Sequence, residues 1–283
     1  LVPIDLPQIT ATQSVVVRYR IQAVRRGVHQ LGPLLEERSD PFGLVVRTTR
    51  HDVTSELLVH PMLHRLKIVT EGTRQRQRMN VRPRISDDPL ADFRALREYQ
   101  YGDDPRLIHW ASSARVGSLV VRDHFELRRA VRMVVLDTME STISAGLFEE
   151  AVEIAASLAI DAINENVMPV CRTRDVRAPG RTDAIGYGEV LELFTRVGRT
   201  PSDLTVPASH VRPQGTDADQ IFLVAGSNSP LITGFYANPW VRPRLVVIRL
   251  ADRQDASDRM GVPSVTVRTA ADFVARWKTG AVA

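Results

Sequence analysis

The fold of this 283-residue chain is decided by Val131-Arg132-Met133-Val134-Val135-Leu136, followed by Asp137-Thr138-Met139-Glu140-Ser141. The first six residues form a nearly continuous apolar run, which is typical of a parallel strand buried on both faces. From Phe148 to Val167, apolar residues then recur at helical spacing. A buried strand followed by a helix predicts the first unit of an α/β sheet.

The same alternation continues to the end of the chain. It predicts strands at Met168–Cys171, Gln220–Ala225, Leu245–Ile248 and Val265–Val267, and helices at Glu189–Val197 and Ala270–Lys278. Strands that alternate with helices indicate βαβ units and a doubly wound, mostly parallel sheet. We therefore predict an α/β domain over residues 126–283.

The loop after the first strand is where a ligand would be expected, because open α/β sheets bind ligands at the carboxyl ends of their strands. This loop resembles the metal-ion-dependent adhesion site of von Willebrand factor A domains, an Asp-x-Ser-x-Ser loop that helps to hold Mg²⁺. The chain keeps Asp137 and Ser141 but has Met139 at the middle hydroxyl position. A thioether is a poor Mg²⁺ ligand.

The resemblance to von Willebrand A domains implies two further metal partners, a threonine and an aspartate on neighbouring loops. Thr200 is the candidate threonine, whereas the loop Gly226-Ser227-Asn228-Ser229 has no carboxylate. We expect a von Willebrand A-like fold whose metal site, made of Asp137, Ser141 and Thr200, is degenerate, and no cofactor. Mg²⁺-dependent protein binding through the Asp137 loop is the alternative.

Upstream of the sheet, one stretch combines acidic, basic, imidazole and indole side chains with turn formers. It reads Arg97-Glu98-Tyr99-Gln100-Tyr101-Gly102-Asp103-Asp104-Pro105-Arg106-Leu107-Ile108-His109-Trp110 and continues Ala111-Ser112-Ser113-Ala114-Arg115-Val116-Gly117. Gly102 suits a sharp turn, and Asp103 and Asp104 are favoured helix N-caps. Pro105 suits the first position of a helix that Gly117 would end. A strand is predicted at Ser118–Arg122.

The stretch also holds the residue types of a hydrolytic triad. His109 precedes Ser112 and Ser113 at helical spacing, and Asp103 or Asp104 could supply the carboxylate. However, no nucleophile elbow surrounds either serine, and triad members usually come from separate elements. Hydrolysis is therefore not the favoured interpretation.

Asp103, Asp104 and His109 could instead bind a metal, so an uncharacterised enzyme or ion site there is a second alternative. The structural interpretation is favoured. In it, Asp104 caps the helix, the arginines pair with the acids, and Trp110 packs where two domains meet. Residues 86–125 then form a turn-helix-strand segment that joins the domains.

Residues 1–85 are predicted to form a small antiparallel β domain. Alternating apolar residues from Val15 to Gln22 predict a strand with one buried face. The turn 39–43 leads into Leu44–Val46, and Glu56–Val59 is a further short strand. The arginine-rich strip from Arg74 to Arg84 has no aromatic residue, which favours a solvated linker over a nucleic-acid site.

Composition sets broad limits on the function. The net charge of +4 does not by itself indicate an anionic partner. The single cysteine, Cys171, excludes an internal disulfide and fits a reducing compartment. No apolar run approaches the roughly 18–20 residues that span a bilayer.

Three stretches together resemble the domain-of-unknown-function family fifty-eight. The central one is Arg97 to Gly117, whose matched positions include Arg97, Tyr99, Gly102, Asp103, Asp104, Pro105, Arg106, His109, Trp110, Arg115 and Gly117. The upstream ones are Arg25-Arg26-Gly27 with Leu31-Gly32-Pro33, and Asp40-Pro41-Phe42-Gly43-Leu44. The strand that ends at Asp137 resembles the von Willebrand A-like part of that family.

No enzymatic activity is established for this family, so the resemblance lends no catalytic residues. Family members typically carry two membrane-spanning helices before the β region and place the soluble part in the cytoplasm. They are thought to work with MoxR-type AAA+ ATPases. We therefore expect a non-enzymatic interaction module that partners such an ATPase or its client, at the cytoplasmic face of a membrane. Its anchor would lie upstream of Leu1.

Overall fold

The computed structural model describes residues 4–6, 14–23, 25–66, 84–85, 92–101, 105–126, 130–176, 185–201, 203, 207–211, 218–252 and 261–279. It divides the chain into two compact units, Leu1–His60 and Pro61–Ala283. The predicted division at residues 85 and 125 stays a prediction, because residues 67–83 and 86–91 lie outside the described part. Most of the arginine-rich strip lies there too.

The described residues of the first unit form four short strands, numbered in chain order β1 (Gly27–Leu31), β2 (Leu34–Ser39), β3 (Val46–His51) and β4 (Ser55–Val59). β1 pairs antiparallel with β4, and β2 pairs antiparallel with β3. The turn between β2 and β3 is organised by Asp40, whose carboxylate accepts the Phe42 and Val45 amides. These backbone donors lower the pKa of Asp40.

The prediction of a strand from Val15 to Gln22 is wrong. Residues 14–23 are described without strand structure, and most of their side chains are exposed. Alternation predicts which face a strand would bury, but a strand also requires a neighbouring backbone to pair with. The described residues provide no such neighbour for this segment.

The second unit begins with a segment that runs onto its longest helix. The His64 amide donates to Ser157 Oγ at 2.9 Å, and His64 Nε2 lies 2.8 Å from Glu153 Oε2. Leu66 then enters the apolar core. Next comes an antiparallel sheet of β5 (Arg84–Ile85), β6 (Asp92–Glu98) and β7 (Val120–Glu126) in the order β5-β7-β6. Between β6 and β7 lie a 3₁₀ turn (Pro105–Leu107) and helix α1 (Trp110–Val116).

A five-stranded parallel sheet forms the centre of the second unit, as the sequence predicts. Its strands are β8 (Val131–Leu136), β9 (Met168–Thr173), β10 (Gln220–Gly226), β11 (Leu245–Leu250) and β12 (Ser264–Val267), in the order β12-β11-β10-β8-β9. The helices that follow α1 are α2 (Ala145–Asn164), α3 (Tyr187–Arg196), α4 (Ala208–Val211), α5 (Pro230–Tyr236) and α6 (Ala270–Lys278).

Each face of this sheet has its own apolar core, because successive side chains of a strand point to opposite faces. Val134 and Leu136 pack with α2, α3 and α6, whereas Met133 and Val135 pack with α5. All six residues of β8 are buried, as expected for a central strand. Cys171 is buried in β9, and desolvation raises the pKa of its thiol to about 12.

One charged side chain, Arg132, lies within this apolar setting. Its guanidinium is fully buried and bonds Asp161, on the last turn of α2, at 2.9 Å and Glu165, the C-cap of that helix, at 2.7 Å. It also lies over the Phe222 ring, 5.5 Å from the centroid. Burial raises the pKa of Asp161, and Arg132 opposes that rise. Arg132 thus attaches the end of α2 to the start of β8.

We expect Arg132→Ala to lower the free energy of unfolding by about 3–5 kcal/mol, because it leaves a buried carboxylate without its cation. The loss should grow as the pH rises above the ordinary pKa of Asp161, since a carboxyl with a raised folded pKa destabilises the fold once ionised. Urea denaturation at several pH values measures both effects. The control, Arg196→Ala, removes an exposed pair with Glu192 and should cost about 0.3–0.5 kcal/mol.

Candidate functional site

The strand order places one candidate site where the chain changes direction across the sheet. From β8 the chain goes to β9 on one side, and then to β10 on the other side of β8. In doubly wound sheets, ligand sites form at such a switch point, outside the carboxyl ends of the strands. Asp137 is the first residue after β8, and Ser227, Asn228 and Ser229 follow β10.

The Asp137 carboxylate is fully buried and joins these two loops. Its Oδ2 accepts the Ser229 hydroxyl at 2.5 Å and the Thr142 hydroxyl at 3.0 Å. Its Oδ1 accepts the Met139 amide at 3.3 Å. The Asp137 amide donates to Val224 O at 2.9 Å. Ser229 also caps α5 by accepting the Leu231 amide.

A cation from the adjacent strand lies beside this carboxylate. Leu136 faces Thr173 in the register of β8 and β9, so Arg174 comes level with Asp137. Arg174 Nη1 lies 3.9 Å from Asp137 Oδ1, and the same nitrogen contacts Met139 Sδ. Arg174 is only 8% exposed. The site is therefore a buried ion pair surrounded by hydroxyl groups.

The structure brings together two of the three predicted metal residues. Thr200 forms a bridge with Met139 and donates its amide to Thr138 O, so it lies against the Asp137 loop. Its hydroxyl is within 2.8 Å of the Thr138 hydroxyl. Ser141 is exposed, and the hydroxyl that reaches Asp137 belongs to Thr142 instead.

These residues do not fit Mg²⁺, which requires about six oxygen ligands in near-octahedral geometry. Arg174 brings a positive charge to the free side of Asp137 Oδ1, and Met139 offers sulfur where the metal would need oxygen. Among the described residues, no cluster of three or more His, Cys, Asp or Glu could hold a metal ion.

Sequence reasoning missed Thr142, Arg174 and Ser229 as neighbours of Asp137. For Ser229 a signal exists, because Ser-Pro before an apolar run is typical of a helix N-cap. For Arg174 it does not, because its position follows from the pairing of β8 with β9.

A close backbone contact fixes the path of the Asp137 loop. A Cβ atom on Gly226 would lie 1.8 Å from Thr142 O and 2.7 Å from Thr142 C. Real Cβ atoms do not approach backbone so closely, so only glycine allows the loop after β8 to lie on the end of β10. Gly226 is therefore a positioning residue for the switch-point site.

We expect Gly226→Ala to lower the free energy of unfolding by at least about 2 kcal/mol, because backbone rather than a flexible side chain must move. Gly146→Ala is the matched control, since a Cβ there meets nothing within 4 Å and the residue lies in α2. It should be neutral or stabilise by up to about 1 kcal/mol. Chemical denaturation distinguishes the two, and equal stabilities would contradict the assigned role.

The stretch from Arg97 to Gly117, which carries the family resemblance, folds differently from its prediction. The helix expected from Pro105 is a 3₁₀ turn, and α1 begins only at Trp110 with His109 as its N-cap. His109 Nδ1 accepts the Ser112 amide at 3.1 Å. Ile108 pairs with Val121 instead of continuing a helix. The predicted end is confirmed, because Gly117 has φ +78° and donates to Ser113 O.

Ser113 connects α1 to β7. Its hydroxyl donates to His109 O at 3.1 Å and accepts the Val120 amide at 2.9 Å. The His109 ring and the Ser113 hydroxyl therefore bond to backbone groups rather than to each other. Ser112 contributes its amide to the helix cap.

We expect Ser113→Ala to lower the free energy of unfolding by about 1–3 kcal/mol, because it leaves the buried Val120 amide without its acceptor. Ser112→Ala, at the preceding residue of the same helix, should change the free energy of unfolding by less than about 0.5 kcal/mol. Thermal or urea unfolding of both variants measures the difference.

Trp110 is 66% exposed, and its predicted packing where two domains meet stays a prediction. α1 is too short to bury more than one side, and that side presents Ser113 to β7. Pro105, Arg106 and Arg115 are also exposed, and Tyr99 donates its amide to Leu119 O. Gly102, Asp103, Asp104 and the side chain of Arg97 lie outside the described residues, so the predicted cap at Asp104 stays untested.

Residues 95–173 match the family described as Protein of unknown function DUF58. The uncharacterized protein YeaD of Bacillus subtilis (strain 168) is 25% identical over 146 residues, which are 52% of this chain and 36% of that protein. The chain thus spans little more than a third of the length of this curated relative. No solved structure matches. None of the described helices has the length and hydropathy needed to span a bilayer.

Proposed function

We propose, from the match of residues 95–173 to an uncharacterised family, that this chain is a non-enzymatic protein-interaction module. Its partner is a MoxR-type AAA+ ATPase or a client of that ATPase, the class that the sequence resemblance implies. The proposal places the module at the cytoplasmic face of a membrane, anchored by a segment upstream of Leu1. No nucleic acid takes part.

The proposal depends on the positions of the large apolar side chains that the second unit exposes. Nine such residues are exposed in its described part, and five of them lie between residues 96 and 119. We call these five the signature surface: Leu96, Tyr101, Trp110, Val116 and Leu119. Contiguous exposed apolar side chains mark interaction sites for proteins or membranes, or ligand-binding grooves.

Backbone hydrogen bonds bring parts of this surface together. The Tyr99 amide donates to Leu119 O, and the His109 amide donates to Val120 O, both at 2.8 Å. The end of β6 and the start of α1 therefore meet at the start of β7. Trp110 is the residue after His109, and Leu119 itself accepts the Tyr99 amide, so both residues lie at these contacts. Exposed aromatic anchors on a fixed backbone are typical of binding hot spots.

The polar chemistry of the same unit supports binding rather than catalysis. The His109 ring and the Ser113 hydroxyl hold α1 against β7, and the Asp137 carboxylate holds the switch-point loops. Groups used in this way maintain the shape of a surface. An uncharacterised enzyme or ion site at Asp103, Asp104 and His109 is the alternative.

The test is a binding assay between the chain and a MoxR-type ATPase, in the presence of ATP and of ADP. We expect binding that depends on the nucleotide, and Trp110→Ala should weaken it by at least about tenfold, the usual effect of losing an aromatic hot spot. Quantitative pull-down or biolayer interferometry gives the affinities.

Trp240→Ala is the matched control, because Trp240 is 69% exposed but lies outside the signature surface. It should leave the affinity unchanged. Absence of binding in both nucleotide states would refute the partner, and equal affinities for the two tryptophan variants would refute the surface.

A further inference from the structure

The hydroxyl groups that bond to Asp137 do not neutralise the negative charge of its buried carboxylate. A fully buried carboxylate is costly unless a positive charge compensates it. Thr142, Ser229 and the Met139 amide supply neutral hydrogen bonds only. In an adhesion-site loop of this type, a divalent cation would supply the positive charge.

Arg174 is placed to supply that charge here. Its Nη1 reaches both Asp137 Oδ1 and Met139 Sδ, the two side chains that face each other across the start of the loop. The guanidinium is almost completely buried, so water screens its charge only weakly. A divalent cation beside Asp137 Oδ1 would lie close to this fixed positive charge and be repelled by it.

The side chain of Met139 also favours an arginine over a metal ion at this site. A hydroxyl at this position would bind a hard cation, whereas a thioether is a soft and weak ligand that tolerates an arginine beside it. Thr200, the other predicted ligand, uses its hydroxyl on Thr138. Met139 therefore suits the Arg174 guanidinium better than a metal, and the Thr200 hydroxyl already has a partner within the protein.

We infer that Arg174 is the resident cation of the Asp137 site, in the place where related loops hold Mg²⁺, and that the site works without a metal. The inference concerns this loop alone and does not depend on the proposed ATPase partner. Its consequence is specific: removing the guanidinium should make the stability of the protein depend on divalent cations.

The experiment measures the melting temperature of the full chain in EDTA and along a MgCl₂ titration. The wild-type value should not respond to Mg²⁺. Arg174→Ala should melt about 10 °C lower in EDTA, as expected for breaking a buried ion pair, and should regain part of this loss with saturating Mg²⁺. Met139→Ser added to Arg174→Ala supplies a hydroxyl ligand and should strengthen the response.

Three variants sharpen the test. Arg174→Gln keeps a polar side chain and is the substitute if the alanine variant does not fold, and it should also respond to Mg²⁺. Asp137→Asn combined with Arg174→Gln removes the carboxylate and should abolish the response. Arg268→Ala is the matched arginine control, because Arg268 forms an exposed pair with Asp252 and its loss should leave the protein behaving as wild type.

Two outcomes would overturn the inference. One is a saturable Mg²⁺ response of the wild-type protein that Asp137→Asn abolishes, because the site would then already hold a metal. The other is a lack of response in Arg174→Ala, in Arg174→Gln and in the double variant Arg174→Ala with Met139→Ser, because the guanidinium would then not occupy a cation position.

Discussion

The organisation of the second unit depends on the buried carboxylate of Asp137. It joins the loop after β8 to the loop after β10, at the edge where a parallel sheet brings its strand ends together. An ion in this position must be compensated from within the protein, and Arg174 arrives from the third strand involved, β9. Three strands of the sheet are thus coupled at one charge, and this coupling maintains the shape of the edge.

The sheet itself could be predicted because its signal is local. β8 is an apolar run interrupted only by Arg132, and α2 repeats apolar residues at helical spacing, so the sequence predicts both within a few residues of their observed bounds. Burial on both faces permits few other interpretations of such a run. The segment from Val15 to Gln22 shows the limit, since its pattern is local but the backbone partner of a strand is not.

The site could be predicted only in part. Asp137 follows from its position at a strand end, but Arg174 lies 37 residues further along the chain and comes level with it only through strand register. His109 was missed as a helix cap because imidazole is not among the side chains that usually cap helices. The exposure of Trp110 depends on how much of α1 is covered, which the hydrophobicity of one side chain cannot reveal.

The contact between Gly226 and Thr142 O limits the backbone path of the Asp137 loop, whereas side chains around Asp137 determine the chemistry of the site. The route of the loop is limited by a carbonyl packed against a Cα atom, and the side chains at positions 139, 174 and 200 take no part in that contact. The Asp137–Arg174 pair adds stability to the same edge of the sheet without being part of this backbone contact. For protein engineering, this edge of the sheet combines a backbone contact that only glycine permits at position 226 with neighbouring side chains that can be substituted separately.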